Sequence, residues 1–304
     1  MKSKLIVILG PTASGKTDLS IKLAKKFNGQ VVSADSRQIY KEMDIGTAKP
    51  KIIAKGKRIM AGGIAHWLLN IKNPNQLYTV AEYKKAALKA IRSIQKDGKL
   101  AILAGGTGLY IKAIVDNLNI PKVKANPLLR QKIEKEIQEK GLSYVFEKLI
   151  KLDPEAAYIV DPKNPRRVLR ALEVVLLTKK PFSEQRKIGT PLLNILEIGI
   201  SAPKEKLWQR INLRVEEMIK QGLVEEVKEL IKKYGANQQA FDAIGYREII
   251  DYLNDKTSLK QAAEIMKVNT RHYAKRQITW FKRDERIHWV KSYKEAEKLV
   301  KKFL

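Results

Sequence analysis

The sequence predicts an α/β fold: a parallel sheet with helices on both faces, interrupted by an all-helical insertion. Three observations point there. Short apolar runs alternate with helix-period segments over residues 1–115, the pattern of strands joined by crossover helices. The first run, Leu5–Leu9, leads directly into Gly10-Pro11-Thr12-Ala13-Ser14-Gly15-Lys16-Thr17 and a helix. Strand signals then vanish between Lys122 and Lys187 and return at Leu193–Ile200.

Taken in order, Leu5–Leu9 reads as a buried strand, Lys16–Phe27 as a helix and Gln30–Ala34 as a strand. Thr79-Val80-Ala81-Glu82 is a capping box, opening a helix that stops near Gly98. Leu100–Ala104 is an apolar strand, followed by Gly105-Gly106-Thr107 and a further helix. Asn126-Pro127 pairs a cap with a first-turn proline, and its helix is expected to end at Gly141. Asn164-Pro165 repeats that signal ahead of Arg166–Thr178. Beyond the resumed strand, Lys204–Gln221 and Leu223–Tyr234 read as helices, and helical patterns recur through Arg283. Arg286–Val290 is expected as a last strand, and Ser292-Tyr293-Lys294-Glu295 as a second capping box. The reading is a discontinuous core, 1–118 and 190–304, with a helical insertion at 119–189.

Composition narrows the function. The 304 residues are 44% hydrophobic, which suits a folded core. There is no cysteine, which excludes disulfides, thiolate zinc and a cysteine nucleophile. His66, His272 and His288 are too scattered to suggest a metal site. No apolar run approaches the roughly 18–20 residues of a membrane helix, so a cytoplasmic protein without membrane attachment is expected. Lys and Arg number 60 against 32 Asp and Glu, a formal charge of +28. Such a field draws phosphates and points to nucleic acid; lysine-rich solvated faces give the same count. Lys122–Lys187 holds 16 basic and 9 acidic residues, and 256–302 holds 14 and 5.

Gly10 to Thr17 fits G-x-x-x-x-G-K-[ST], the P-loop of nucleotide-binding and ATP-binding proteins, between a strand and a helix. Its glycines let successive N–H groups turn inward as an anion nest, and the helix N-terminus adds partial positive charge. Lys16 reaches terminal phosphate oxygens, and the Thr17 hydroxyl is the expected Mg²⁺ ligand. The motif recognises a pyrophosphate without naming what it is attached to. Asp35 ends the next strand, where carboxyl ends line the site of a doubly wound sheet. It is expected beside the P-loop, with a helix cap or a plain Mg²⁺ ligand as the simpler reading. Thr107 reads as a cap, a substrate contact or both. Gly105 and Gly106 imply that another group approaches closely.

The stretches GPTASGKT, SADSRQIYKEMDIGTAKP, AGGTGLYIKA, NPRRVLRALEV, AIGYRE and RQITWFKRDERIHW, in this order from residue 5 to about 290, together resemble the tRNA dimethylallyltransferases. The resemblance implies a P-loop NTPase-like core and a helical insertion that grips the tRNA anticodon stem-loop. It implies transfer of a dimethylallyl group from dimethylallyl diphosphate to the exocyclic amine of the adenosine 3′ to the anticodon, in tRNAs reading codons that begin with U. The P-loop would then hold the departing diphosphate, with Mg²⁺ as cofactor and the chain acting as a monomer. By the same resemblance Asp35 is the catalytic base, and Thr12 and Lys16 act on the diphosphate. Arg210 and Arg214 lie one helical turn apart, and one of the two is expected to reach the pyrophosphate. Asp35, Ser36, Arg37, Gln38 and Thr107 meet the target nucleotide. Arg130 matches an arginine near the displaced base. The runs Arg166-Arg167-Val168-Leu169-Arg170 and Ile244-Gly245-Tyr246-Arg247 match tRNA-contacting segments. Val168, Leu172 and Val175 also fit packing positions, with Arg166 and Arg170 sharing a helix face. Tyr246 reads as a stacking platform or a core residue, and Gly245 as a point of close backbone approach to RNA. Trp280 and Trp289 read as buried aromatics. The rivals are a P-loop kinase of a small acceptor, a prenyltransferase of free adenine nucleotides, and a non-catalytic RNA-binding protein.

Overall fold

The computed structural model describes residues 2–55, 58–121, 123, 125–185 and 188–304, without the side chains of 55 and 58. Two compact units emerge: residues 1–115 with 192–304, and residues 116–191. The first contains β1 (Lys4–Leu9), α1 (Lys16–Lys26), β2 (Gly29–Ala34), β3 (Ile52–Lys55), β4 (Arg58–Ala61) and β5 (Ile64–Trp67). Next come α2 (Val80–Lys96), β6 (Leu100–Gly105) and α3 (Gly108–Val115). The second unit has α4 (Pro127–Leu152), α5 (Ala156–Ile159), α6 (Pro165–Thr178) and α7 (Phe182–Gln185). The chain then completes the first unit with β7 (Asn194–Ile200), α8 (Lys204–Lys220), α9 (Leu223–Tyr234), a 3₁₀ turn Gln239–Asp242, α10 (Tyr246–Leu253), α11 (Leu259–Phe281), β8 (His288–Val290) and α12 (Tyr293–Phe303).

The eight described strands form one sheet in the order β3-β4-β5-β2-β6-β1-β7-β8. From β5 to β8 every pairing is parallel. Alternate side chains of a strand face opposite sides, and β1 uses both for core. Leu5, Val7 and Leu9 pack with Tyr83, Ile91 and Ile94 of α2 and Ile111 of α3, while Ile6 and Ile8 pack with Leu23 of α1 and Val300 of α12. This two-sided burial is why β1 reads as an unbroken apolar run.

The parallel sheet expected from sequence is present, and at one edge it is extended by strands that the sequence did not reveal. β3, β4 and β5 form an antiparallel meander, with Ala61 opposite Ile64. Each strand has only four residues, too few for a clear period-two signal. A signal was nevertheless present: Gly62-Gly63, at φ 55° and 79°, is a two-residue hairpin turn that requires positive φ at both positions.

The capping box at Thr79 is complete. Thr79 Oγ1 accepts the Glu82 N–H at 3.2 Å, and the Glu82 carboxylate accepts the Thr79 N–H at 2.8 Å. The box at Ser292 is only half formed, because Glu295 accepts the Lys291 N–H instead.

In the second unit Asn126 and Asn164 cap α4 and α6, accepting the N–H groups of Leu129 and Arg167 at 3.1 and 3.2 Å. Gly141, at φ 83° and ψ 160°, breaks α4 where the sequence ended that helix, and a second helical segment follows the break. Ile133, Val145, Leu149, Val168, Leu172 and Val175 form the unit's core. No strand occurs among its described residues; Lys122 and Lys187, the ends of the stretch read as strand-free, lie outside them.

Candidate active site

The carboxyl ends of β1, β2 and β6 bring Gly10, Asp35 and Gly106 to one edge of the sheet, as a doubly wound topology demands. Gly15 is the N-cap of α1 at φ 93°, ψ 19° and caps with no side chain. That left-handed geometry suits glycine, and it leaves the first-turn N–H groups of α1 open to an anion. Lys16 Nζ donates to the Pro11 carbonyl at 2.6 Å, folding over the loop. Burial, and then the Arg214 guanidinium, lower its pKa to about 8 against the pull of Asp35. Ser14 Oγ is buried without a hydrogen-bond partner. A buried cation with a depressed pKa is an environment that an anion completes.

Two adjoining cavities open from this loop. One, about 430 Å³, is lined by Thr12, Ala13, Gly15, Lys16 and Thr17 and by Asp18, Gln38, His66, Gly106 and Gln277. The other, about 330 Å³, is walled by Ile211, Val215, Met218, Ile244 and Met266, with Ser36, Arg37, Asp242, Thr270 and Arg276 as the polar groups it does not share with the first. Thr12, Asp35, Thr47, Ala48, Arg214 and Tyr273 line both. Both volumes fall in the range of small-molecule sites, about 300–1,000 Å³. Arg210 lines neither cavity, so Arg214 is the arginine of α8 at the site.

Asp35 Oδ1 accepts the N–H groups of Arg37 and Gln38 at 2.8 and 3.3 Å. Both bonds fall on one oxygen, so Asp35 caps this turn and also lines the shared wall. Thr107 does not cap α3 with its side chain. Its Oγ1 accepts the Ser36 N–H at 3.0 Å and fixes the Asp35 turn to β6. The Arg37 guanidinium donates to the carbonyls of Gln239 and Ala240, and the Gln38 amide to those of Thr47 and Ala48. These two side chains therefore build cavity walls.

Of the two readings of Tyr246, stacking platform or core residue, its burial supports the second. Its ring is wholly buried, lies 6.1 Å from that of Phe241, and its hydroxyl donates to Glu226 at 2.7 Å. Gly245 is buried, and its N–H donates to Glu248 at 2.7 Å, so the group that approaches it is Met266 rather than an RNA backbone. Ile244 lines the apolar cavity, and Arg247 is exposed. Trp280 packs on the core, whereas Trp289 is 37% exposed, against the expectation of burial.

In the second unit Val168 is wholly buried and Leu169 nearly so; their side chains are core. Arg166 and Arg167 are exposed. Arg130 and Arg170 both bond Glu173, whose side chain is 0% exposed.

Sequence reasoning missed Gln277, Tyr273, Thr47 and Glu226. Glu226 accepts the N–H groups of Asp44, Ile45 and Gly46 at 3.0, 2.7 and 3.2 Å, holding the loop that carries Thr47 and Ala48. It lies about 180 residues away in sequence, and nothing local marks it. Gln277 had a signal: Gly106 implied an approaching group, and a Cβ there would lie 2.3 Å from Gln277 Nε2.

This is a P-loop α/β layout with two cavities that share one wall. The IPP transferase family model matches residues 38–284, and the chain belongs to that family. It is 45% identical over 303 residues to a tRNA dimethylallyltransferase of Acetivibrio thermocellus, covering 98% of this chain and 95% of the relative. A tRNA dimethylallyltransferase of Alkaliphilus oremlandii is also 45% identical, with 99% and 96% covered. Among solved structures, the tRNA isopentenylpyrophosphate transferase of Bacillus halodurans superposes with a TM-score of 0.70 at 38% identity, covering 99% of this chain and 95% of that one. A eukaryotic dimethylallyltransferase acting on tRNA gives 0.76 at 32% identity, covering 91% and 69%.

Proposed function

We propose that this protein is a tRNA dimethylallyltransferase that moves the dimethylallyl group of dimethylallyl diphosphate onto the exocyclic amine of the adenosine 3′ to the anticodon. The observation that carries the reading is the pair of cavities sharing Thr12, Asp35 and Arg214. A cationic cradle suited to diphosphate abuts a second cavity with an aliphatic wall and polar groups, in the size range of a small-molecule site.

The P-loop N–H groups, Lys16 and Arg214 hold the diphosphate. As the allylic C–O bond breaks, its electron pair passes to the bridging oxygen, and these fixed donors, with the Thr12 hydroxyl, stabilise that growing charge. The adenine amine forms the new N–C bond and loses one proton. Asp35 takes it: its Oδ1 is anchored by two backbone N–H groups, which leaves Oδ2 as the acceptor. Pyrophosphate leaves. The oxygen donors at the cradle, the Thr17 hydroxyl with Asp18 and Asp35 nearby, suit a hard divalent cation. Magnesium on Thr17 and the diphosphate oxygens would add positive charge at the leaving group.

The base must leave its stack to enter the apolar cavity. The basic 116–191 unit, with Arg166 and Arg167 exposed, supports an anticodon stem-loop grip through phosphate contacts. Val168 and Leu169 set the positions of these arginines from the core, and Arg130 acts from its Glu173 pair. One chain holds both cavities, so a monomer suffices. The test is to incubate the protein with unmodified tRNA, dimethylallyl diphosphate and Mg²⁺ and to assay isopentenyladenosine by mass spectrometry. Product with tRNA and none with AMP as acceptor supports the reading. Product only with AMP, or phosphate transfer from ATP, would replace it.

A further inference from the structure

One face of α11 runs along both cavities. Met266, Thr270, Tyr273 and Gln277 recur at helical spacing; the first three line the apolar cavity, and Tyr273 and Gln277 line the cradle. Gln277 is buried, and both ends of its amide are committed. Oε1 accepts the Thr12 N–H at 2.8 Å, and Nε2 donates to the Gly106 carbonyl at 2.8 Å. Because a carbonyl can only accept, the Gly106 bond fixes which way the amide faces. A Cβ at 106 would sit 2.3 Å from Nε2, so any larger residue there displaces the Gln277 amide.

We infer that Gln277 is a positioning residue for the transfer step: it draws the Thr12 amide out of the anion nest and holds Thr12 at the wall where donor and acceptor meet. The inference rests on the transferase reading above. An N–H left in the nest would grip the diphosphate equally before and during reaction, which strengthens binding without speeding the step. Turned toward Gln277, that N–H instead fixes Thr12, whose hydroxyl the proposed mechanism assigns to the breaking bond. Phosphate binding stays with Lys16, Arg214 and the remaining loop amides. Gln277 is thus expected to act on kcat and leave the hold on diphosphate alone.

The experiment compares wild type, Q277M, G106A and the double variant Q277A/G106A with Q277A. Turnover on tRNA, inhibition by inorganic pyrophosphate and thermal denaturation are measured for each. Q277M keeps the side-chain volume and removes both bonds. It should lower kcat by about 10²-fold, the scale of a roughly 1 Å misplacement. The pyrophosphate inhibition constant should stay within about 3-fold, because ground-state contacts are untouched. G106A pushes Nε2 away and should reproduce that split. In the double variant the alanine has room, so it should be no worse than Q277A, a non-additive cycle. The inference is overturned if Q277M keeps kcat within about 3-fold of wild type, if kcat and pyrophosphate affinity fall together, or if the two sites add independently. Should Q277M fail to fold, the G106A cycle decides the same question. Wild type that transfers nothing would sink the function itself, an outcome distinct from failure of the variants alone.

Discussion

Arg130 grips Glu173 in a two-pronged pair, Nε to Oε1 at 2.9 Å and Nη2 to Oε2 at 3.0 Å. Arg170 adds Nη1 at 2.6 Å and the Asn126 backbone N–H adds a bond at 2.8 Å. Burial pushes the Glu173 carboxyl up, and these four bonds outweigh it, holding it below the usual 4.5. A depressed carboxylate pKa contributes stability that is complete above 4.5 and is lost as pH falls below it. Unfolding of the full protein, followed by denaturant melts, should therefore show an acid-sensitive component below pH 4.5 that E173Q lacks. E173A should cost about 1–3 kcal/mol at pH 7, since the arginines it strands reach solvent. Melts with the same acid profile in wild type and E173Q would contradict the assignment.

Asp35 has two functions, turn cap and proton acceptor, and one substitution separates them. Asn keeps an oxygen for the Arg37 and Gln38 N–H groups but is a poor base. D35N should preserve the melting temperature and lower kcat by about 10²–10⁴-fold, the range of general-base catalysis. Equal loss of folding and turnover would reduce Asp35 to its structural role.

Lys16 must be charged to hold diphosphate, and its pKa is lowered to about 8. Pyrophosphate affinity should thus be greatest below pH 8 and fall as pH rises past it. K16R stays charged throughout, so the ratio of wild-type to K16R affinity should drop over that range, cancelling the ligand's own ionisation. Between pH 8 and 10.5 the unfolded chain binds the proton that the folded one has lost. The free protein should therefore gain stability across that window. A ratio independent of pH would place the Lys16 pKa elsewhere.

Glu226 holds three backbone N–H groups of the loop 44–46 and the Tyr246 hydroxyl. Gly46 lies so close to the Tyr246 ring that a Cβ would come within 2.5 Å of it. Y246F removes one bond to a charged acceptor and should destabilise by about 1–3 kcal/mol. E226A frees the whole loop and should raise the KM for tRNA, because Gly46, Thr47 and Ala48 wall the apolar cavity. A tRNA KM unchanged in E226A would mean the loop keeps its shape without the clamp.

What the sequence disclosed followed local chemistry. The P-loop, the strand that buries both faces, and the asparagine-proline helix starts depend on neighbours in sequence, and all are found where expected. The meander β3–β5 was missed because four-residue strands at a sheet edge carry little periodicity. Tyr246 and Gly245 look like RNA contacts in one dimension, and their partners Glu226, Phe241, Met266 and Glu248 make them core. Gln277 and Glu226 were invisible because each acts on backbone brought near only by folding. Gly106 marked the first without identifying it.

The central claim is that carbon, and not phosphorus, leaves the cradle for the acceptor. Dimethylallyl diphosphate labelled separately in its hydrocarbon and its phosphates, incubated with unmodified tRNA and this protein, tests it directly. The account predicts the carbon label on the adenosine beside the anticodon and all the phosphorus label in free pyrophosphate. Phosphorus label on the tRNA, or carbon label that never leaves the donor, would contradict it.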